Sequence, residues 1–474
     1  MTSAPRTATP RASLDPAAVA DAAAAVREAN LAFARRYPGE RDEPQPVHTL
    51  IEGAQHFSAD VAARRGQAAL AALAAHAPDA YSLGSALGIA AHPALDDVSA
   101  RVREKLAREP VEDYRIDFED GYGVRPDAEE DARAAAVGAE VARGLRDGTL
   151  PPSLGVRVKP LTEELRARSV RTLDLLTTAI VDGGGPPPRW LVTFPKITVA
   201  EQLAYGCAVL GALERSSGIA DGTLRCEIQV EVPQAIIDSG GRSLLPRLID
   251  AAGGRLVSVD FGTYDYTAGC GITAAFQQLR HPACDFAKHV IQLSFAGTGV
   301  WIADGSTSVL PIPLYEAGPD APLSALELEE NYESVRAGWR RHFDDVRHSL
   351  AGGYYQGWDL HPAQLVSRYA AVSSFFLEGV EAAGARLRHY LANAERATAL
   401  GNVLDEPATG QGLLGFFLRA IQSGAVRESE AAALTGLTPA ELRNRSFVSI
   451  MRARSQARAQ ARTAGGSGAT DAPT

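Results

Sequence analysis

The sequence predicts an α/β fold, a TIM (β/α)8 barrel with an N-terminal helical arm and a C-terminal helical extension. Short apolar runs typical of strands alternate with longer helical patterns, as in the βα units that build a parallel sheet. Roughly eight such runs are present, which is the number that closes a barrel. No run leads directly into a GxGxxG motif or a P-loop, either of which would have favoured an open doubly wound sheet.

The predicted strands can be placed along the chain. Several of them are continuously apolar, as expected for strands that are buried on both faces. The runs are Val47–Ile51, Tyr114–Phe118, Leu154–Val158, Trp190–Phe194, Cys226–Val232, Leu256–Phe261, Val300–Ala303 and Tyr355–Leu360. The barrel is therefore expected to occupy residues 46–370.

The segments outside the barrel differ in composition. Residues 1–45 are expected to form a flexible Pro/Thr/Ser/Arg-rich segment and then an Ala-rich helix, with Asp15 in front of a first-turn proline. Residues 371–455 are expected to form a helical extension. Residues 456–474 end in Gly, Ser, Ala and Thr, a composition that predicts a disordered tail.

One stretch of the extension, Glu428–Ser455, has two interpretations. A helix, a short turn at Pro439 and a basic helix superficially resemble a helix-turn-helix motif. The alternative, which we favour, is a pair of capping helices packed over the barrel mouth or a neighbouring subunit. The chain has 47 Lys and Arg against 57 Asp and Glu, a net charge of −10. This acidic balance argues against a nucleic-acid partner.

The cysteine pattern and the hydropathy indicate a compartment. Four cysteines show no CxxC pair and no regular framework, which favours a reducing cytoplasm. The first residues lack the apolar core of a secretory signal. No uninterrupted apolar stretch reaches the length of about 18 residues that a membrane span requires, so no membrane association is expected.

Charged residues lie at the ends of the predicted strands. In a βα barrel, the loops after the carboxyl ends of the strands meet at one mouth and carry the chemistry. The charged residues at or just after these ends are Glu119, Asp120, Arg157, Lys159, Lys196, Glu231, Asp265, Asp304 and His361. This recurrence indicates a charged barrel mouth that binds a ligand.

Two of these residues, Glu231 and Asp265, are candidate metal ligands. They follow successive strands, and two carboxylates without a cysteine or histidine pattern suit Mg²⁺ or Mn²⁺. The alternative is that they cap or pair with the following helices. The glycine-rich segment around Asp265 lets the backbone approach a ligand, so Gly262 and Thr263 are candidate substrate-binding residues.

The remaining candidates concern the substrate. Arg157 is the expected anchor of an anionic substrate because its planar guanidinium matches a carboxylate bidentately. Alternatively, or in addition, it forms an ion pair with Glu119 or Asp120, which could themselves be further metal ligands or outer-sphere acceptors. Lys196 either supplies charge to the substrate or is an ordinary lysine at a helix start. His361 either contacts the substrate or merely begins a helix.

The series of motifs resembles the HpcH/HpaI aldolase/citrate lyase family. The matching motifs are DFEDG after the second strand, RVKP at the third, PK after the fourth, Glu-x-Pro after the fifth, GTYD after the sixth and HPAQ after the eighth. The resemblance implies a phosphoenolpyruvate/pyruvate-binding TIM barrel, a divalent metal held by Glu231 and Asp265, and Arg157 on the substrate carboxylate. Glu119 and Asp120 match the acidic pair of the citrate-lyase-like branch, whereas the aldolase branch has Glu-His there.

These observations predict a divalent-metal-dependent carbon–carbon lyase or aldolase acting on a 2-oxo acid, hydroxy acid or related carboxylate through a metal-stabilised enolate. The expected catalytic residues are Glu119, Asp120, Arg157 and Lys196, with Mg²⁺ or Mn²⁺ as cofactor. The alternatives are a metal-dependent acyl-thioester hydrolase on the same scaffold and a non-catalytic metabolite-binding protein. An acyl-coenzyme A is a possible second substrate, and family analogy suggests a homo-oligomer.

Overall fold

Eight parallel strands pair in sequence order and close into a barrel in the computed structural model of the chain. The structure describes residues 14–318, 321–392, 398–400, 403–405 and 407–465. The strands are β1 (His48–Gly53), β2 (Asp113–Asp117), β3 (Ser153–Arg157), β4 (Trp190–Phe194), β5 (Arg225–Val230), β6 (Leu256–Phe261), β7 (Trp301–Ser306) and β8 (Gln356–Asp359). The predicted (β/α)8 fold is confirmed.

Helices surround the barrel and extend from both of its chain ends. They are α1 (Ala20–Arg36), α2 (Val61–His76), α3 (Ala80–Leu87), α4 (Leu95–Arg108), α5 (Asp127–Asp147), α6 (Arg166–Asp182), α7 (Ala200–Ser217), α8 (Pro233–Ile236), α9 (Leu245–Ala251), α10 (Thr263–Gly269), α11 (Pro282–Phe295), α12 (Ala325–Ala351), α13 (Gln364–Ala392), α14 (Pro407–Gln422), α15 (Glu428–Thr435), α16 (Pro439–Asn444) and α17 (Phe447–Gly465). Two short antiparallel strands, β9 (Thr398–Leu400) and β10 (Val403–Asp405), lie between α13 and α14.

The first and last strands join the ring. Thr49 of β1 lies opposite Trp358 of β8 in the parallel register. The His48 imidazole, in β1, also contacts the Asp359 carboxylate at the end of β8, with 2.9 Å between Nδ1 and Oδ2. Both side chains are fully buried. The closure therefore rests on a buried polar contact as well as on backbone pairing.

The apolar runs locate the strands well, but the barrel interior is more polar than those runs suggest. In β2, Asp113, Arg115 and Asp117 alternate with Tyr114 and Ile116, and all five residues are buried. Successive side chains of a strand point to opposite faces, so the charged residues share one face and the apolar residues share the other. Since the outer face packs on helices, the charged set fills the barrel interior.

Arg115 is the centre of a buried charge cluster inside the barrel. Its Nη2 lies 3.0 Å from Asp113 Oδ2 and 3.1 Å from Glu227 Oε2. Burial and the neighbouring Glu227 raise the pKa of Asp260 well above its usual value. Asp113 and Arg115 precede Asp117 on the same face of β2, so this cluster lies deeper in the barrel than Asp117 does.

The C-terminal extension packs at the end of the barrel where the strands begin, opposite the mouth. Arg419 of α14 donates from Nη1 to Gln45 Oε1 at 3.0 Å, just before β1. Arg445, after α16, donates from Nη2 to the carbonyl oxygen of Asp42 at 2.8 Å. Helix α15 packs on α13 and α14, which is a capping arrangement, although at the opposite end from the mouth.

The described chain extends past the predicted boundary of the tail. Helix α17 continues to Gly465, whereas disorder was expected from residue 456. Ala, Arg and Gln dominate this stretch, and these are strong helix formers. Residues 1–13 and 466–474, where flexible ends were expected, lie outside the described residues. In the described part of the chain, no helix is both long and apolar enough to cross a membrane.

Candidate active site

A cavity of about 560 Å³ opens at the carboxyl ends of the strands. Its lining includes seven of the residues that the sequence singled out: Asp120, Arg157, Glu231, Gly262, Thr263, Asp265 and His361. Glu119 and Lys196 join this group through ion pairs. The two carboxylates proposed as metal ligands and the proposed anchor therefore share one cavity.

Arg157 is held by Asp117, a residue that the sequence analysis did not single out. Arg157 donates from Nε to Asp117 Oδ1 at 2.8 Å and from Nη2 to Asp117 Oδ2 at 2.6 Å. The same carboxylate accepts backbone N–H groups of Glu119 and Gly121, at 2.8 and 2.6 Å. Although burial opposes ionisation, Arg157 lowers the pKa of Asp117. Asp117 is thus a fixed anion that orients the guanidinium.

The other end of the guanidinium is also held in place. Arg157 Nη1 lies 3.1 Å from Gln229 Oε1 and 3.1 Å from Glu119 Oε2. Its Cζ lies 5.6 Å from the centre of the Trp358 ring, a cation–π distance. The predicted ion pair with Glu119 is therefore present, but the bidentate partner is Asp117. Arg157 still lines the cavity and presents a preorganised cation to it.

Lys196 joins carboxylates from several strand ends. Its Nζ lies 2.5 Å from Glu119 Oε1, 3.4 Å from Asp120 Oδ2 and 3.5 Å from Asp265 Oδ2. Although burial opposes the charged form, Glu119 and Glu231 raise the pKa of Lys196. Its backbone has φ of +53°, in the left-handed region that non-glycine residues rarely adopt. Such strain is concentrated at functional sites.

Glu231 is the buried carboxylate of the site. Its Oε1 accepts the backbone N–H of Lys196 at 2.9 Å. Burial and the charge of Asp265 raise the pKa of Glu231 well above its usual value. A Cβ at Gly262 would lie 2.4 Å from Glu231 Cβ and 2.5 Å from Oε2. Glycine is therefore required at position 262 for the carboxylate to occupy this position.

The donor set of Glu231 and Asp265 fits a hard divalent cation. Both donors are carboxylates, and the burial and mutual repulsion that oppose ionisation of Glu231 would be relieved by a cation. Among the described residues, no group of three or more His, Cys, Asp or Glu side chains is placed to share one ion. An ion here would complete its shell with water and substrate oxygens, as Mg²⁺ commonly does.

Thr263 and His361 lie on the cavity wall with different local roles. Thr263 Oγ1 is buried, and no described residue is placed to hydrogen-bond it. A buried hydroxyl without a partner is a candidate donor to a ligand. His361 Nδ1 accepts the backbone N–H of Ala363 at 3.2 Å, just before α13, and burial lowers its pKa. His361 therefore begins a helix and also lines the cavity, and its contact with a substrate stays a prediction.

Asp117, Gln229 and Trp358 contact Arg157 but are not among the residues predicted for the site. Asp117 and Gln229 lie inside predicted strands, whereas the candidates were taken from the charged residues at or just after the strand ends. Their signal was the polar alternation in DYRID and CEIQVE, since every second side chain of a barrel strand points inward. Trp358 lies in the run YQGWDL, and nothing in that run indicates that the indole contacts an arginine of another strand.

Comparison with protein families identifies a matching family model. A family model described as "Domain of unknown function (DUF6986)" matches residues 26–450. A search of curated proteins finds no match.

Solved structures with a similar fold include a citrate lyase from Burkholderia xenovorans LB400. The likeness has a TM-score of 0.51 and 20% sequence identity, and covers 72% of this chain and 92% of that chain. A malate synthase from Haloferax volcanii, in its native form at 3 mM glyoxylate, has a TM-score of 0.45 and 13% identity, covering 82% and 90%. Its magnesium/glyoxylate complex has a TM-score of 0.44 and 13% identity, covering 86% and 99%. The citrate lyase likeness agrees with the barrel fold.

Proposed function

The chain belongs to the DUF6986 family, and we propose that it is a divalent-metal-dependent carbon–carbon lyase or aldolase acting on a 2-oxo acid, a hydroxy acid or a related carboxylate. One observation carries the proposal. Glu231, Asp265 and Arg157 line a single cavity at the carboxyl ends of the strands. Two carboxylates and a fixed guanidinium are what recognition of a chelating, anionic substrate requires.

Arg157 binds the carboxylate of the substrate in this proposal. Its Nε and Nη2 donors are taken up by Asp117, and Nη1 faces Gln229 and Glu119. Each terminal nitrogen of a guanidinium carries two N–H donors, so donors remain for a ligand. Because Asp117 and Gln229 hold the group in place before substrate arrives, little ordering of the arginine is needed on binding.

Glu231 and Asp265 are the residues that would hold the divalent ion. When bound, the ion would supply Lewis-acid polarisation of the substrate's carbonyl oxygen. The Nζ of Lys196 lies 3.5 Å from Asp265 Oδ2, so the ammonium charge partly neutralises the negative charge of the carboxylates around it. Its backbone N–H fixes one oxygen of Glu231, so the orientation of that carboxylate is set by the main chain.

A proton acceptor is needed when a bond next to a hydroxyl is cleaved. Asp120 and Glu119 are the two candidates. Asp120 lines the cavity and its side chain is 63% exposed. Glu119 is buried between Lys196 and Arg157. We therefore assign proton transfer to Asp120 and the positioning of Lys196 to Glu119.

Assembly and compartment are part of the proposal. Helix α1 has no buried residue among those described, and it exposes Val26, Leu31 and Phe33. This apolar exposure supports a homo-oligomer. All four cysteines are free, which is compatible with the reducing cytoplasm that we propose as the location. One solved structure of similar fold is named a citrate lyase, which agrees with the proposed chemistry.

The test is proton exchange followed by a product screen. The full chain is incubated in D₂O with pyruvate, with and without Mg²⁺, and loss of the methyl proton signal is followed by NMR. We expect exchange that depends on Mg²⁺. A panel of 2-oxo acids is then combined with aldehydes or acyl thioesters, including acyl-coenzyme A, and products are identified by mass spectrometry.

The outcomes separate the candidate functions. Metal-dependent exchange together with a new or cleaved carbon–carbon bond supports the lyase. Thioester hydrolysis without exchange would instead identify a metal-dependent hydrolase. Saturable oxo-acid binding with neither exchange nor turnover would identify a metabolite-binding protein. The Asp265→Asn variant is the control in each arm, because it removes one proposed ligand charge while keeping the shape of the side chain.

A further inference from the structure

A cluster of arginines lies at the end of the barrel opposite the active-site cavity. Arg225 is the first residue of β5, and Arg189 immediately precedes β4. Arg41 lies in the segment between α1 and β1. Parallel strands all begin at the same end of a barrel, so these three residues belong to the face where strands start. The active-site cavity opens at the other face.

Trp301 and Glu43 show that the three guanidinium groups are close together. The Cζ atoms of Arg41 and Arg189 lie 5.8 and 5.6 Å from the centre of the Trp301 ring. Glu43 is shared, because its Oε2 lies 3.9 Å from Arg41 Nε and its Oε1 lies 3.5 Å from Arg225 Nη1. The Trp301 ring therefore contacts Arg41 and Arg189, and the Glu43 carboxylate contacts Arg41 and Arg225. We refer to Arg41, Arg189 and Arg225 as the arginine cluster.

The three arginines of the cluster carry more positive charge than the one carboxylate that is paired with them. Among the described residues, Glu43 is the acidic group paired with the cluster. Asp221 is nearby, but Arg255 already holds it at 2.9 Å. Burial, and then the charges of Arg225 and Arg189, lower the pKa of Arg41. Like charges held together repel one another, and in a chain of net charge −10 this concentration is notable.

Two cavities give a ligand access to the cluster. One is about 310 Å³ and is lined by Arg41, and the other is about 270 Å³ and is lined by Arg189 and Arg225. Trp301 and Glu43 line both of them. An anion placed beside Trp301 could therefore be approached by guanidinium groups from two sides.

We propose that the arginine cluster is a second binding site, separate from the active-site cavity, for an anion that carries phosphoryl groups. Three guanidinium groups against one carboxylate match a ligand with at least two negative charges. A phosphoryl group offers oxygens in several directions, whereas a carboxylate is planar and satisfies one guanidinium fork. Inorganic pyrophosphate is the smallest probe that combines this charge with this geometry.

The site also adjoins the terminal parts of the chain. Arg445, between α16 and α17, donates hydrogen bonds to the carbonyl oxygens of Arg41 and Asp42. Arg419 of α14 pairs with Glu40 at 2.9 Å. A ligand bound at Arg41 would therefore contact the same segment that the C-terminal extension holds against the barrel.

The test is isothermal titration calorimetry of the full chain with inorganic pyrophosphate, in EDTA-containing buffer of low ionic strength. We expect saturable binding to the wild type. Arg41→Gln and Arg225→Gln should each weaken it about tenfold or more, because each removes a charged donor. Glu43→Gln should tighten it, because it removes the competing carboxylate. Arg242→Gln, whose side chain is 84% exposed at another site, is the matched control and should leave the affinity unchanged.

Further arms locate the site and identify the source of the phosphoryl group. Lys196→Met, in the active-site cavity, should not change the pyrophosphate affinity. Loss of binding in Lys196→Met with retention in Arg225→Gln would overturn the proposal, as would the absence of saturable binding. Unchanged or weaker affinity in Glu43→Gln would also contradict it. Adenosine diphosphate binding more tightly than pyrophosphate would support a nucleotide ligand, and equal affinity would support free pyrophosphate.

Discussion

Asp117 and Arg157 lie directly opposite each other on neighbouring strands and form a bidentate ion pair. The side chains are 1% and 8% exposed, so water compensates neither charge. The pair turns an arginine at a strand end into a cation of fixed orientation. The orientation of the Arg157 guanidinium is therefore fixed by the pairing of β2 and β3 as well as by the residues that line the cavity.

Asp117→Asn should destabilise the protein and impair substrate binding. Breaking a buried ion pair from one side typically costs about 3–5 kcal/mol, because the remaining charge stays buried. Urea denaturation measures this loss. Asp131→Asn is the matched control, since Asp131 pairs with Arg168 and Arg171 at a more exposed site and should lose no more than about 1 kcal/mol. Equal losses in the two variants would contradict the special role of Asp117.

Glu231→Gln and Asp265→Asn should each abolish tight binding of a divalent cation. Mn²⁺ titration followed by electron paramagnetic resonance measures this without an activity assay. An affinity loss of at least about tenfold is expected, because each variant removes one of two charged ligands. Asp221→Asn, at the opposite end of the barrel, should bind as the wild type does. Mn²⁺ binding that survives both site substitutions would refute the ligand assignment.

Gly262→Ala should reduce cation binding without unfolding the barrel. The added Cβ would contact Glu231 at 2.4–2.5 Å, so the carboxylate must move. We expect a loss of Mn²⁺ affinity of about tenfold or more. Gly379→Ala provides the matched control, because a Cβ there meets no atom within 4 Å. If Gly262→Ala binds Mn²⁺ normally, the position of Glu231 is not limited by this glycine.

Lys196→Ala and Lys196→Gly separate backbone strain from charge. Both remove the ammonium group, but only glycine adopts a φ of +53° without strain. Lys196→Gly should therefore be more stable than Lys196→Ala by about 1 kcal/mol, measured by chemical denaturation. Both should show impaired turnover, since Glu119 and Asp265 lose their shared cation. A more stable alanine variant would be evidence against the strained conformation.

Asp359 should make stability sensitive to acid. Although burial opposes its ionisation, Arg368 and His342 hold the pKa of Asp359 well below its usual value. Its contribution to stability is present above the unfolded-state pKa of about 4 and is lost as the pH falls further towards the folded-state pKa. Asp359→Asn should be less stable at neutral pH and should show a shallower decline in unfolding free energy below about pH 5. An unchanged slope would contradict this linkage.

The fold could be predicted from the sequence because burial on both faces leaves apolar runs. Trp190–Phe194 and Leu256–Phe261 match β4 and β6 residue for residue. The run Val300–Ala303 ends three residues before β7 does, because β7 continues through Asp304, Gly305 and Ser306. Asp304 is buried and paired with Lys288 of α11 at 3.1 Å, and in the sequence a buried, paired carboxylate is indistinguishable from an exposed loop residue.

The site was predictable where a charged residue terminates a strand, as at Arg157 and Glu231. A site residue was not predictable where its role depends on a partner that is distant in the sequence. Lys196 contacts carboxylates that are 69 to 77 residues away in the chain. Its left-handed backbone carries no sequence signal, because lysine is not a residue that favours this conformation.

Closure of the ring by His48 and Asp359 has a consequence for synthesis of the protein. The two residues are 311 positions apart. During translation, β1 therefore leaves the ribosome long before β8 is synthesised. Until then the growing sheet has two unpaired edges, which are sites of intermolecular pairing. Until the eighth strand is made, intermolecular pairing is avoided only if those edges are covered.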